Sequence, residues 1–197
     1  MRSLRFARVS PLAARAASGY LSAMNGWVEY ALAWLCFLGA HVAPMAPGPR
    51  AWLMARLGKA IYLTLFSLLS IALLVWLVRA AGAAPHVPLW DSGAWTRWLV
   101  NLVMPVAILT GALAVGMSGL VAAFAMWAAA HLVANGDLAH VVLFGGMALF
   151  AGMGLIRSGW PRQFRASLPR LALAAALWVA LMLLHPVVVG LSPWPAG

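Results

Sequence analysis

The sequence predicts an all-α fold, a polytopic transmembrane helix bundle of about six spans. Three observations predict it. Of 197 residues, 65% are hydrophobic and only 8% are charged. The mean hydropathy is +0.95. The apolar residues also gather in six runs separated by Pro- and Gly-rich breaks. Soluble domains carry about 25% charged residues, so the lipid bilayer is this chain's main partner. A hydrocarbon core of about 30 Å takes about 20 apolar residues per helix. The length therefore accommodates six spans with short connections and no separate soluble domain.

The chain divides into a basic extension, residues 1–26, and a transmembrane domain, residues 27–197. The extension has Arg2, Arg5, Arg8 and Arg15, no acid, and no continuous apolar core of a signal peptide. It reads as a basic amphipathic segment lying on the membrane surface, and Met24 is an alternative start directly ahead of the first span.

The spans then follow in order. The first runs from about Trp27 to Pro44, the second from Ala60 to Ala80 and the third from Trp98 to Val115. The fourth runs from Leu120 to Ala134, the fifth from Leu138 to Ile156 and the sixth from Leu171 to Val189. "APMAPGPR", "APHVPLWDSGAW" and "SGWPRQ" are punctuated by Pro and Gly, as turns are. Trp27, Trp90, Trp95, Trp98, Trp160 and Trp194 cluster at segment ends, as an interfacial belt does.

Arg50, Arg56 and Lys59 of the first loop lie on the same side as Arg157, Arg162, Arg165 and Arg170 of the fifth. The positive-inside rule places that side, with the third loop, in the cytoplasm and both termini outside. The net charge of +10 comes from arginines at the ends of apolar segments, where topology and headgroups account for them. No continuous basic face results, which excludes nucleic acid as the expected partner. Cys36 is the single cysteine and lies inside an apolar run, so no internal disulfide is possible.

The polar residues in this setting need reasons. His86 lies in a Pro-rich loop. His41, His131, His140 and His185 fall in or at the ends of apolar segments, where ionisable groups are costly and face a partner or a cavity. Taken singly, each is explained by a neutral imidazole bonded to a backbone carbonyl or to a hydroxyl on the next helix. Four in one small bundle shift the balance toward a metal. The thiolates and carboxylates of a zinc or di-iron site are missing, whereas imidazole is the usual axial ligand of haem iron. One cysteine cannot supply a covalent haem motif, so the expected cofactor is haem b, with His41, His131, His140 and His185 all open as its candidate ligands.

In "HLVANGD", Asn135 and Gly136 read as a turn whose residues tolerate positive φ, and Asp137 reads as the N-cap of the fifth span's helix. His131 stands one helical turn earlier and is left unexplained. In the second span, Tyr62, Thr64, Ser67 and Ser70 either line an interior polar strip or bond back to the preceding turn.

"LGAHVAPMAPGPRAWLMARLGKAIYLTLFSLLS", "LVMPVAILTGAL" and "MWAAAHLVANGDLAHVVLFGG" resemble the NnrU family of bacterial membrane proteins from about Trp34 onward. The resemblance implies a bacterial inner (plasma) membrane protein with a role in nitric oxide and nitrite metabolism, that is, in denitrification. The family is in turn similar to plant zeta-carotene isomerase, a haem b membrane enzyme. That similarity implies metal ligation by His41 and His131, and an alternative function as a cis-trans isomerase of a carotenoid-like polyene. His185 in "LHPVVVGLSP" matches a family position and His140 matches none. Relatives often carry a basic residue, His and Pro before the fourth helix, where this chain reads "GMSGLVAA", so no catalytic residue carries over.

At 1.5 Å per residue, His41 and His131 lie at depths about 8 Å apart, whereas His131 and His185 agree within a few Å. His131 with His185 is therefore a rival pair to His131 with His41. The third alternative is a cofactor-free accessory or transport protein whose histidines bridge helices.

Overall fold

The apolar runs are helical. The computed structural model describes residues 11–194, and among them the regular structure is all helix. The elements are α1 (Pro11–Val42), a 3-10 turn (Ala43–Met45), α2 (Pro47–Leu57), α3 (Lys59–Ala83), α4 (Ala94–Leu113), α5 (Met117–Ala134), α6 (Leu138–Ser158) and α7 (Leu168–Val188). Among the described residues, α3 to α7 are each long and apolar enough to cross a membrane. The predicted first span lies in the C-terminal part of α1. Residues 1–10 of the expected surface extension lie outside the described residues. Residues 11–26 run without a break into the helix of the first span.

The first predicted turn is shorter than the sequence suggests. Only residues 43–46 interrupt the helix, because Pro47 occupies the start of α2, where a missing N–H costs nothing. "RAWLMARL" then supplies good helix formers. Gly58, at φ 77°, ends α2 and starts α3 with no residue between, a conformation that penalises any side chain with a Cβ.

The chain forms two compact units, divided between Pro85 and His86. In the first unit α3 packs on α1 and α2. Its core is Tyr30, Ala33 and Phe37 of α1 with Tyr62, Leu77, Ala80 and Ala81 of α3. Of the four hydroxyl residues on α3, Tyr62 is buried but Thr64 and Ser67 are exposed. Ser70 donates to the Phe66 carbonyl at 2.8 Å. No interior polar strip forms, and back-bonding accounts for Ser70.

In the second unit the neighbours run α7, α4, α5, α6. The core is built from small side chains, among them Ala107, Ala122, Ala128 and Ala139, around Leu143 and Met147. Small residues let membrane helices approach closely where lipid offers no hydrophobic drive. On α6, Ala139, Leu143, Met147, Ala151 and Leu155 recur every fourth residue, one continuous stripe.

Both ends of this unit are tied by backbone bonds between loops distant in sequence. At one end the Leu89 and Trp90 N–H groups donate to the Gly136 carbonyl at 2.7 and 3.0 Å, and Leu138 donates to Val87 at 2.9 Å. At the other end Val115 donates to Gln163 at 2.9 Å and Arg165 to Leu113 at 2.8 Å. The Arg170 guanidinium adds bonds to the carbonyls of Ala112, Leu113 and Ala114. It thereby caps α4, whose last carbonyls have no partners within the helix.

These ties correct the reading of the Asn-Gly pair. Asn135 is extended at φ −128°, and Gly136 is not among the positive-φ glycines. Gly136 is required for space instead, because a Cβ there would collide with the Trp90 carbonyl. Gly136→Ala is therefore expected to cost about 1–3 kcal/mol, the usual range for forced overpacking. Gly145→Ala on α6, where a Cβ meets nothing, is expected to be neutral or slightly stabilising. Thermal unfolding of both variants in detergent checks the contrast, and equal stability would contradict this role of Gly136.

Candidate functional site

A peptide carbonyl only accepts hydrogen bonds, so an imidazole nitrogen beside one must carry the proton. His131, in the last turn of α5, has Nδ1 2.9 Å from the Trp127 carbonyl. His185, in the last turn of α7, has Nδ1 2.7 Å from the Leu191 carbonyl. His41, in the last turn of α1, has Nδ1 2.7 Å from the Phe37 carbonyl. In all three the Nδ1–H is donated, and in the neutral ring the lone pair is then on Nε2. This is the state of an iron or zinc ligand, whose other ring N–H is held by a carbonyl or carboxylate.

The alternating helix directions bring three of the four candidate histidines to one end of the second unit. His131 ends α5, His140 opens α6 and His185 ends α7. His86 and the loop ties at Gly136 lie at the same end. The His131 ring lies 5.4 Å from Trp127 and 5.1 Å from Phe144, and Trp127 meets Phe144 edge-on at 5.3 Å. Aromatic faces thus wall the imidazole from water. The Asn135 amide donates to the His131 carbonyl at 2.8 Å and holds the last turn of α5. His131 and His185 lie at the same end of the unit, although α5 and α7 both pack on α4 rather than closely on one another.

His41 belongs to the first unit. Its ring stacks on Phe37 at 4.2 Å and meets Phe66 edge-on at 5.5 Å.

Asp137 caps α6 as the sequence predicts, accepting from the His140 N–H at 3.3 Å. Two partnerships go beyond the sequence reading. The other Asp137 oxygen lies 2.6 Å from His140 Nδ1. One carboxylate therefore starts the helix and orients an imidazole, a pairing that the spacing of Asp at the N-cap and His at N3 signals. In the first unit, Trp76 Nε1 donates to Glu29 at 3.1 Å, which gives one of the chain's three acids a partner across two helices.

Among the described residues no three His, Cys, Asp or Glu side chains are grouped to hold a metal ion. Haem asks for only one or two imidazoles, and the tautomers of His131 and His185 fit that role. An open apolar cleft of about 300 Å³ between α4 and α5 is lined by Leu99, Val103, Met126, Ala129 and Ala130, the residue before His131.

Comparison with known proteins shows a family match over most of the chain. The family model described as "NnrU protein" matches residues 29–193. No curated protein and no solved structure matches the chain.

Burial pushes the Asp137 carboxyl up, but the hydrogen bond and charge of His140, helped by His86, outweigh it and hold the group below its ordinary value. A depressed carboxylate stabilises the fold above its unfolded value, and this contribution is lost as pH falls through the folded one. Asp137→Ala is expected to lose about 1 kcal/mol from the helix cap. Asp137→Asn keeps the capping oxygen but replaces the oxygen that accepts from His140 Nδ1 with an amide donor, so it loses that bond together with the charge interaction. The deficit of the Asn variant against the parent should be present near neutral pH and vanish in acid below the carboxylate range. Unfolding midpoints across pH measure it, and a deficit that does not change with pH would exclude the ion pair as its source.

Proposed function

We propose a function from the fact that this chain belongs to the NnrU family and is a helical membrane protein: it binds haem b through His131 and acts in nitric oxide or nitrite metabolism. His185 is the second ligand favoured by the geometry, because it shares an end of the same unit with His131. His41 is the partner that the family resemblance favours. The observation that carries the reading is the hydrogen bonding of His131. Among the described residues the imidazole hydrogen-bonds only through Nδ1, to a carbonyl of its own helix, so the ring does not bridge the described helices, and Nε2 keeps its lone pair for a ligand. This counts against a bundle in which the histidines serve only as struts.

When bound, haem supplies an iron that coordinates a small ligand such as nitric oxide. The protein's part is to hold one tautomer of His131, to keep water from it with Trp127 and Phe144, and to fix the end of α5 through Asn135. The apolar cleft beside Ala130 supports a second reading, in which a lipophilic polyene lies there and is isomerised. A purely apolar wall suits a hydrocarbon and offers nothing to a polar substrate.

The visible spectrum of the purified protein, oxidised, reduced and after nitric oxide, tests this. A Soret band is expected, lost in His131→Ala and retained in His140→Ala. Loss of six-coordinate character in either His185→Ala or His41→Ala identifies the second ligand. No Soret band after addition of haem would rule out both haem readings. Turnover of a polyene by the reduced protein would decide for the isomerase.

A further inference from the structure

The other end of the second unit holds an open pocket of about 310 Å³ lined by Ser118, Ser158, Arg162 and Gln163, with Trp160 beside them; Ser118 is half-buried and the Arg162 and Gln163 side chains are exposed at its rim. The tie between residues 113–115 and 163–165 builds it, since it lays the loop after α6 against the start of α5. Nearly every polar group in its wall is a donor or carries one: the guanidinium of Arg162, the amide of Gln163 and two hydroxyls. Ser158 spends its donor on the carbonyls of Gly154 and Gly159. Arg162, Gln163 and Ser118 have no side-chain partner among the described residues. The backbone N–H groups opening α5 are uncapped by any side chain, which adds a favourable potential for an anion.

The charge balance is one-sided here. Arg157, Arg162, Arg165 and Arg170 gather at this end, while Asp91 and Asp137, the acids of this unit, lie at the opposite end. No carboxylate of the unit can serve as counter-charge to Arg162. The cavity also sits where two membrane-length helices, α5 and α6, end, at headgroup depth. Trp160, 63% exposed, belongs with the interfacial aromatic residues.

We infer that this cavity binds the phosphate group of an anionic phospholipid headgroup or of a free phosphate, with Arg162 as its charge partner and Ser118 and Gln163 as further donors. Its volume is at the lower end of those of ligand pockets, and basic pockets between membrane helices at the cytoplasmic side bind anionic headgroups. The inference is independent of haem, because the site and the histidines lie at opposite ends of the unit.

Calorimetric titration of the full-length, delipidated protein in a nonionic detergent tests it, with short-chain phosphatidylglycerol, phosphatidylcholine of equal chain length, and inorganic phosphate as probes. Phosphatidylglycerol or inorganic phosphate is expected to bind, with phosphatidylcholine markedly weaker. Arg162→Ala should weaken binding about tenfold, the loss expected of one charge-assisted hydrogen bond. Ser118→Ala should weaken it about threefold, as for a neutral bond. Arg97→Ala, at the opposite end, should leave it unchanged. Competition by inorganic phosphate identifies a site that takes free phosphate, and binding of the lipid without such competition identifies a headgroup site. Equal binding of the two lipids, full affinity in Arg162→Ala with an unchanged unfolding midpoint, or no binding of any probe would overturn the inference.

Discussion

Hydrocarbon offers no partner to a peptide group, and this one restriction organises the molecule. Inside a span the α-helix satisfies it without help. It returns at every helix end, where the last N–H and C=O groups have no partner in the helix. In the second unit the ends answer one another. The segment before α4 bonds to the turn before α6, the turn before α5 bonds to the loop before α7, and Arg170 closes the end of α4. The four helices are thereby fixed in register with a core made largely of alanine, which buries little area per residue and so relies on these ties.

The same restriction shapes the histidine end. His131 places Nδ1–H on the carbonyl of Trp127, and His185 on that of Leu191, in the segment that folds back after α7. That segment is itself held by Asn101 through the Pro193 carbonyl at 2.8 Å. The bonds are local, satisfy the protonated nitrogen cheaply, and determine which nitrogen keeps its lone pair.

Much of this was legible in the sequence, and the division has a physical cause. Span positions follow from composition alone, because a helix in lipid needs only length and apolarity. The cap at Asp137 was legible because capping is local, and so was the placing of histidines at helix ends. The Asn-Gly pattern marks the right turn, but Gly136 has no positive φ, and its constraint comes from Trp90, far away in the chain. Arg170 reads as a topology charge, yet its guanidinium also closes α4. Its partners, Ala112 to Ala114, become visible only once α4 and α7 are packed together. The tautomer of His131 likewise depends on a rotamer that no residue pattern specifies.

The separation of charge along the second unit has an electrical consequence. Four arginines stand at one end, and at the other Asp91 and Asp137 outnumber Arg97, so the unit is a dipole laid across the bilayer. If the arginine end faces the cytoplasm, the side on which the positive-inside rule puts it, an inside-negative potential would pull both ends the way they already lie. Inverting the unit would work against the field at about 2.3 kcal/mol per elementary charge per 100 mV. In that orientation an energised membrane would act as an external clamp on the topology, one that weakens when the potential collapses.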